Sequence, residues 1–408
     1  MIVFILYCIV IFFIILWFFK IIWTNGIRRE KNENHNLNKN NLYNTQFLIL
    51  IPVFKEERII KDTVLYFSSI KTDNVEIYYI TTDKELSDAS NKNSTYEILS
   101  DYIDKKHIIN YPYKTWDKAN QLNYAIKKLL KEYKHKDLYF WIFDADSRPD
   151  LWVLEYISND KIKEPVYQML SVYNTNYYEI TNLCKANAIL QTRRSFYFEF
   201  SRLLQNYKKK CWKNLMYLIW HGIFIRWDIL KHELFPENSV TEDISYGYKL
   251  FLWWIFAKPV PFYYDYCSVP YNIKTNIKQI SRRFYWEFEL VFQYILRYKK
   301  RKILFFQRLF ELIIRWYWWI TIFIVFFISF FAHSYGLLML MFCWILLDFV
   351  SFYTITDILF KDDWKIAKLY LFSIIKNIVD SIPLSFSLVN LARNYIVWQK
   401  KIFNKTAR

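Results

Sequence analysis

Glycine is nearly absent from this 408-residue chain: it occurs four times, at Gly26, Gly222, Gly247 and Gly336. No two are close in sequence, so no loop can be built on repeated side-chain-free backbone. A G-x-G-x-x-G turn, a G-x-x-x-x-G-K-[ST] phosphate loop and a G-x-S-x-G nucleophile elbow are all missing. Protein kinases of the usual type, P-loop ATPases and ordinary dinucleotide-binding dehydrogenases are disfavoured before any other residue is read.

Hydrophobic residues make up 54% of the chain and aromatic residues 21%, yet 23% are charged. Disordered chains carry few aromatics, and a pure membrane bundle could not solvate so many charges. Length alone predicts two or three domains. The five cysteines, Cys8, Cys184, Cys211, Cys267 and Cys343, are odd in number, with no C-x-x-C and no local zinc spacing. This usage fits a reducing compartment. The six histidines form no H-E-x-x-H pair, which disfavours a zinc hydrolase.

The apolar residues are not spread evenly. Residues 1–19 carry no charge, and the run extends to Trp23 past Lys20. It is long enough to cross a hydrocarbon core of about 30 Å. It lacks the basic start, short core and small-residue cleavage site of a signal peptide, so an anchor over residues 1–24 is expected. A second uncharged stretch, Trp316–Leu347, would be about 48 Å long as a helix, too long for one span. His333-Ser334-Tyr335-Gly336 reads as a tight connection between two spans near Ile313–Ala332 and Leu337–Thr356. A third apolar region, Leu369–Val397, holds Lys376, Asp380, Pro383 and Arg393, and reads as a further span, a re-entrant pair or an interfacial helix.

The net charge is +17. Nucleic acid, an anionic membrane surface or phosphorylated ligands could each be the partner of such a chain. The basic clusters decide. Arg28, Arg29 and Lys31 follow the first span; Arg297, Lys299, Lys300, Arg301 and Lys302 precede the second; Lys400, Lys401, Lys405 and Arg408 close the chain. Basic collars stay on the cytoplasmic side. The expected arrangement is an integral plasma (inner) membrane protein with its N-terminus outside and its middle cytoplasmic. Membrane lipids are then partners, and nucleic acid is not.

Residues 25–45 form a polar linker, and beyond it the pattern changes. Phe47–Val53 is a continuous apolar run, as in a strand buried on both faces of a parallel sheet. Further strands are expected at Val75–Thr82, His107–Tyr111 and Leu138–Phe143. Helices are expected at Lys55–Ser69, Thr95–Ile103 and Lys118–Tyr133. This alternation predicts a doubly wound α/β domain, over residues 46–296, whose ligands sit beyond the carboxyl ends of the strands.

Those ends carry acids: Glu56 and Glu57 after the first strand, Asp83 after the second, Asp144 and Asp146 after the fourth. A single Asp there reads equally as a helix cap. Two carboxylates one residue apart at a sheet edge want a cation, and hard oxygen ligands suit Mg2+ or Mn2+.

Several stretches, in order, resemble the membrane-bound family 2 glycosyltransferases. They are Ile51-Pro52-Val53-Phe54-Lys55-Glu56-Glu57, Lys118-Ala119-Asn120-Gln121-Leu122-Asn123, Asp144-Ala145-Asp146, His221–Arg226, Thr241-Glu242-Asp243 and Gln279–Arg283. The resemblance covers roughly residues 47–290. It implies a GT-A nucleotide-sugar-binding domain flanked by transmembrane helices, with residues 297–408 holding an interfacial helix, two spans and a re-entrant or interfacial end. It implies a nucleotide-diphosphate sugar donor met by Pro52, Glu56, Asp83, Lys118, Asp144, Gln279 and Arg282. It further implies Mg2+ or Mn2+ on Asp144 and Asp146, and Asp243 as general base. His221, Glu242 and Trp286 would face a lipid-linked or polysaccharide acceptor. Arg283 stands where the family usually has Trp, a departure that favours single transfer over polymerisation.

The chemistry agrees with this reading. A cation stabilises the departing diphosphate, a carboxylate deprotonates the acceptor hydroxyl, and one displacement between them inverts the anomeric centre. Other readings stay open for single residues: a helix N-cap for Thr241-Glu242-Asp243, a structural histidine at His221, and an interfacial amphipathic helix for Gln279–Trp286. For the whole chain, the alternative is a catalytically inactive relative acting as a membrane scaffold or polysaccharide-binding partner.

Overall fold

The first expected strand forms at Gln46–Pro52 (β1), and its core residues Phe47–Ile51 have no accessible surface. The structure is a computed structural model. It describes residues 45–382 apart from 71–72, 88–93, 114–116, 134–136, 210–213, 238–240, 299–301 and 361–365, together with Ser385 and a few positions between 10 and 19. The expected first span, the linker and the basic tail lie almost wholly outside the described residues.

The chain packs as two units, one of them built from Asn25–Thr175 and Phe198–Ser268. After β1 come α1 (Ile60–Ser68), β2 (Val75–Thr82), α2 (Asp83–Ser87), α3 (Thr95–Tyr102), β3 (Ile108–Tyr111), α4 (Lys118–Glu132), β4 (Leu138–Ile142), β5 (Arg148–Pro149), α5 (Val153–Ser158) and β6 (Val166–Tyr173). Helix α6 (Asn182–Arg194) belongs to the other unit. The first unit resumes with α7 (Ser201–Lys209), β7 (Ile223–Arg226), α8 (Trp227–His232), α9 (Glu242–Leu252) and β8 (Lys258–Cys267).

The eight strands among the described residues join one mixed sheet in the order β3-β2-β1-β4-β7-β6-β8-β5. β1 is parallel to both β2 and β4, and β2 is parallel to β3, while β7 runs antiparallel to β4 and β6. The chain winds outward from β1 to β3 and then returns to β4 on the other side of β1. Right-handed crossovers place the helices of these two windings on opposite faces. Phe47, Ile49 and Ile51 pack with Ile60, Val64 and Phe67 of α1 and with Trp141 and Phe143. Helix α4 packs against β1, β2 and β3. The reversal opens a crevice at the carboxyl ends of β1 and β4.

The expected helix Lys55–Ser69 begins later, at Ile60. Residues 54–59 make a turn in which Lys55 takes a left-handed φ of 59°. Their backbone N–H groups are drawn elsewhere: Lys55 donates to Glu85 Oε2 at 3.2 Å and Glu56 to Thr95 Oγ1 at 3.2 Å. This keeps the Glu56 side chain at the mouth of the crevice rather than on a helix.

The other unit is helical. It contains α6, α10 (Ile273–Arg297), α11 (Lys302–Phe331), α12 (Tyr335–Leu359) and a helix over 366–382. Asn272 caps α10 by accepting from Thr275 N at 2.9 Å. Gln279, Arg282 and Trp286 follow one another at intervals of three and four along α10, so they share one face. Gln279 and Arg282 are exposed and Trp286 is half-buried. Within this unit, Tyr335–Asp357 is long and apolar enough to cross a membrane. The stretch Lys302–Ile314 with Trp319–Phe331, bent by 68°, reaches that standard only as a pair. The break between α11 and α12 falls at the expected His333-Ser334 connection. Asp348, inside the apolar α12, pairs with Arg193 of α6 at 2.8 Å and accepts from Tyr370 at 3.1 Å.

Candidate active site

The crevice is built from three strand ends and two helix starts. The side-chain amide of Gln121, fully buried on α4, donates to Val53 O at 3.1 Å and to Ile80 O, tying the ends of β1 and β2 together. Pro52 closes β1 and is buried, and Asp83 follows β2 and accepts from Asn110 Nδ2 at 2.6 Å. The turn after β4 is fixed from outside: Thr63 Oγ1 donates to Ala145 O at 2.5 Å, and Arg148 donates to Ala145 O and Ser147 O. Asp146 Oδ2 accepts from Ser268 Oγ at 2.5 Å.

Asp117 caps α4, accepting from Asn120 N at 2.6 Å, and so fixes where Lys118 begins. The Lys118 ammonium forms an ion pair with Asp144 Oδ1 and lies 4.5 Å from the centre of the Trp220 ring. The backbone N–H of Trp220 in turn donates to Asp243 Oδ2 at 3.2 Å, and that of Ile244 to Asp243 Oδ1 at 2.8 Å. Asp144, Lys118, Trp220 and Asp243 thus form one contact chain from the end of β4 to the start of α9. Thr241, at the N-cap of α9, makes no side-chain capping bond. Asp243 is 6% exposed, with both oxygens held in orientation.

Asn123 supports this arrangement from α4. It accepts from Phe235 N at 3.0 Å and donates to Phe235 O at 2.8 Å, and Phe235 packs on both Trp220 and Tyr246. The segment leading into α9 is therefore pinned to the helix that carries Lys118. Gln121, Asn123 and Ser268 have no expected role of their own, and Trp220 is expected only as one of the aromatic-rich stretch Lys213–Trp227, a candidate acceptor groove. For Gln121 and Asn123 the available signal is their place in the Lys118–Asn123 stretch. For Ser268 it is only its adjacency to Cys267.

The site is crowded with negative charge. Burial pushes the Glu56 carboxyl up to about 7, helped by Asp146 and Asp144 and, more weakly, by Glu57 and Glu85. Burial likewise pushes Glu242 up to about 8, with Asp243 adding to it and Lys118 opposing. Asp144 and Asp146 offer hard oxygens one residue apart, and the field they place on Glu56 is the kind a divalent cation relieves. Among the described residues no third protein ligand joins them within 4.8 Å. Mg2+ is typically held in this way, by one or two carboxylates with the remaining positions left to water and phosphate oxygens. The donor set fits Mg2+ or Mn2+.

His221 faces inward. Its Nδ1 lies 3.5 Å from Asp265 Oδ2 and 3.1 Å from Cys267 Sγ. Burial disfavours its charged form, but the Asp265 hydrogen bond and the charges of Asp144, Asp265 and Asp146 outweigh this, so the imidazole stays above its ordinary value.

Glu242 gives a test that needs no substrate. Its carboxyl titrates at 4.5 when unperturbed and at about 8 when folded. Between those values the folded chain holds a proton that the unfolded chain has lost, so stability falls as pH rises through that window. Glu56 acts in the same sense up to about 7. Glu242→Gln keeps a neutral side chain at every pH. It is expected to reduce, though not remove, the fall in thermal midpoint across that window. An unchanged slope would mean that Glu242 is not held protonated.

No family model matches the chain, and no curated protein matches it in sequence. Solved structures similar to it include the following two. One is the mannosyltransferase PcManGT from Pyrobaculum calidifontis in complex with GDP-Man and Mn2+, with a TM-score of 0.47, 12% identity, and 92% of this chain and 99% of that chain covered. The other is S. aureus TarS 1-349, with a TM-score of 0.41, 13% identity, and 84% and 90% covered. Both scores are below 0.5, and the functional reading rests on the site itself.

Proposed function

We propose that this chain is a membrane-anchored, metal-dependent inverting glycosyltransferase of the GT-A, family 2 type. It moves a sugar from a nucleotide-diphosphate donor to a lipid-linked or polysaccharide acceptor at the cytoplasmic face of the membrane. The observation that carries the reading is the contact chain Asp144–Lys118–Trp220–Asp243. It joins a carboxylate pair suited to a cation to a buried carboxylate suited to a base, with one ammonium between them.

Each residue then has a task. Pro52, Glu56 and Asp83 line the nucleoside pocket at the ends of β1 and β2. Asp144 and Asp146 hold Mg2+ or Mn2+, which when bound supplies Lewis-acid stabilisation of the leaving diphosphate. Lys118, paired with Asp144 at the start of α4, would offer its charge to donor oxygens. Asp243 takes the proton of the acceptor hydroxyl. The membrane part of the proposal is supported by an unbroken apolar face on α12, where Tyr335, Met339, Phe342, Leu346, Val350 and Tyr353 are exposed. A face of this size suits lipid better than water.

The test is release of nucleoside diphosphate in detergent from a panel of nucleotide sugars, with acceptor lipids and with or without Mn2+. One donor is expected to turn over, with loss of release on chelation and recovery on adding Mn2+. If no donor binds or turns over with membrane lipids present, the transferase reading fails and a scaffold role replaces it.

A further inference from the structure

Behind the carboxylate pair, and inside the same unit, lies a second cluster that the transfer reaction does not use. His221, Asp265 and Cys267 bring one imidazole nitrogen, one carboxylate oxygen and one sulfur within 4.8 Å of one another. Asp265 and Cys267 lie one residue apart from a common neighbour at the end of β8, and His221 immediately precedes the Gly222 turn into β7. No local spacing links the three, which is why no zinc pattern is visible in the chain.

Cys267 Sγ, which donates to Asp265 O at 3.4 Å, and Asp265 Oδ2, which accepts from Ser147, both converge on one nitrogen, His221 Nδ1, at 3.1 and 3.5 Å. Asp265 is 0% exposed, and its other oxygen, Oδ1, has no hydrogen-bond partner. A buried carboxylate with an unsatisfied oxygen is costly unless a cation compensates it. Tetrahedral bonds of about 2.0–2.3 Å to Zn2+ place neighbouring ligand atoms roughly 3.4–3.6 Å apart. The Nδ1–Oδ2 separation of 3.5 Å matches this, the Nδ1–Sγ separation of 3.1 Å is a few tenths of an ångström short of it, and all the ligand atoms lie within 4.8 Å of one another.

We propose that His221 Nδ1, Asp265 Oδ2 and Cys267 Sγ form a binding site for a thiophilic divalent cation of the Zn2+ class, distinct from the hard-oxygen site of Asp144 and Asp146. The cation neutralises Asp265, takes Cys267 as thiolate and binds an unprotonated His221 Nδ1, and its binding releases to solvent the thiol proton and any second proton on the imidazole. Without it, burial and the charges of Asp265, Asp146 and Asp144 keep that thiol protonated. The site's consequence for the crevice is mechanical. Ser147 donates to Asp265 at 3.0 Å and Ser268 to Asp146 at 2.5 Å, so the end of β8 and the turn after β4 are cross-linked. A cation on β8 and His221 locks that cross-link. The site does not depend on the transfer reaction and is tested without it.

The experiment uses the full chain in detergent, stripped of metal and titrated with Co2+. Binding of one Co2+ is expected to produce a thiolate-to-cobalt charge-transfer band in the near ultraviolet with intense visible bands of tetrahedral Co2+. The band is expected to vanish in Cys267→Ser and to survive in Asp146→Asn, Cys184→Ser and Cys343→Ser. In the zinc-loaded wild type, X-ray absorption at the zinc edge is expected to show one sulfur ligand at about 2.3 Å, which keeps the proposal testable should Cys267→Ser not fold. Absence of the band, its survival in a folded Cys267→Ser, or a zinc shell without sulfur would each overturn it.

Discussion

Asp243→Asn is expected to slow sugar transfer by about 10²–10⁴-fold, the usual contribution of a general base, while donor affinity stays within a few-fold of wild type. The separation follows from the geometry. Donor phosphates and cation are assigned to Asp144, Asp146 and Lys118 at the start of α4 and the end of β4, and Asp243 stands at the start of α9, beyond Trp220. Asn keeps the size of the side chain but has no basic oxygen. It also has one acceptor where two N–H groups, of Trp220 and Ile244, now point. One of these is left facing an NH2, at a cost of about 1–3 kcal/mol, so thermal midpoint is measured beside rate. The neighbouring Glu242→Gln sharpens the test. Burial holds Glu242 up to about 8, so at neutral pH it is already mostly uncharged and Gln imitates it. Transfer by Glu242→Gln is expected to stay near wild type. A fast Asp243→Asn, or a dead Glu242→Gln that folds and binds donor, would reassign the base.

What was legible in the chain, and what was not, divides along sequence separation. β1 and β4 appear where continuous apolar runs predict them, because they lie inside the sheet with both faces covered and have no polar face to interrupt the pattern, while β2 and the edge strand β3 follow from the alternation with helices. The acids at their ends were visible for the same reason: they are where the run stops. β8 was not, since Lys258–Cys267 contains two prolines and the buried Asp265, and its partner β6 buries Gln168 and Ser171 among apolar residues. Such polar positions are tolerable only because of partners far along the chain. Gln168, for instance, donates to His221 O at 2.6 Å and accepts from Ile219 N at 3.2 Å. Trp220 is the clearest omission. Its neighbours mark it only as one aromatic among several in 213–227, yet it touches Lys118 through its ring and Asp243 through its backbone. A residue that acts by joining two distant segments leaves no local signature.

Gly247→Ala is expected to lower the thermal midpoint and to remove transfer to nearly the extent of Asp243→Asn, with donor binding largely retained. A Cβ built at Gly247 would stand 2.4 Å from Leu218 N and 2.7 and 2.8 Å from Tyr217 Cα and carbonyl carbon. These are backbone atoms and cannot rotate aside. Alanine gains up to about 1 kcal/mol over glycine inside a helix, but overpacking of this kind typically costs about 1–3 kcal/mol or more, so the clash wins and α9 moves off the 215–220 segment. Asp243 lies four residues before Gly247, on the same face of α9. The displacement that admits a methyl at 247 therefore draws Asp243 away from the Trp220 N–H that orients it. Gly222 is constrained in another way, by a φ of +66° and by Met169 Cβ at 2.6 Å from an added Cβ, where the neighbour is a flexible side chain and the strain is in the turn itself. Thus two of the four glycines in the chain lie on either side of the segment carrying Trp220 and His221, and at Gly247 the missing side chain sets the distance between base and crevice. Wild-type stability and rate in Gly247→Ala would show that α9 is not seated on that backbone. Loss of stability with full retention of rate would show that Asp243 is not positioned through it.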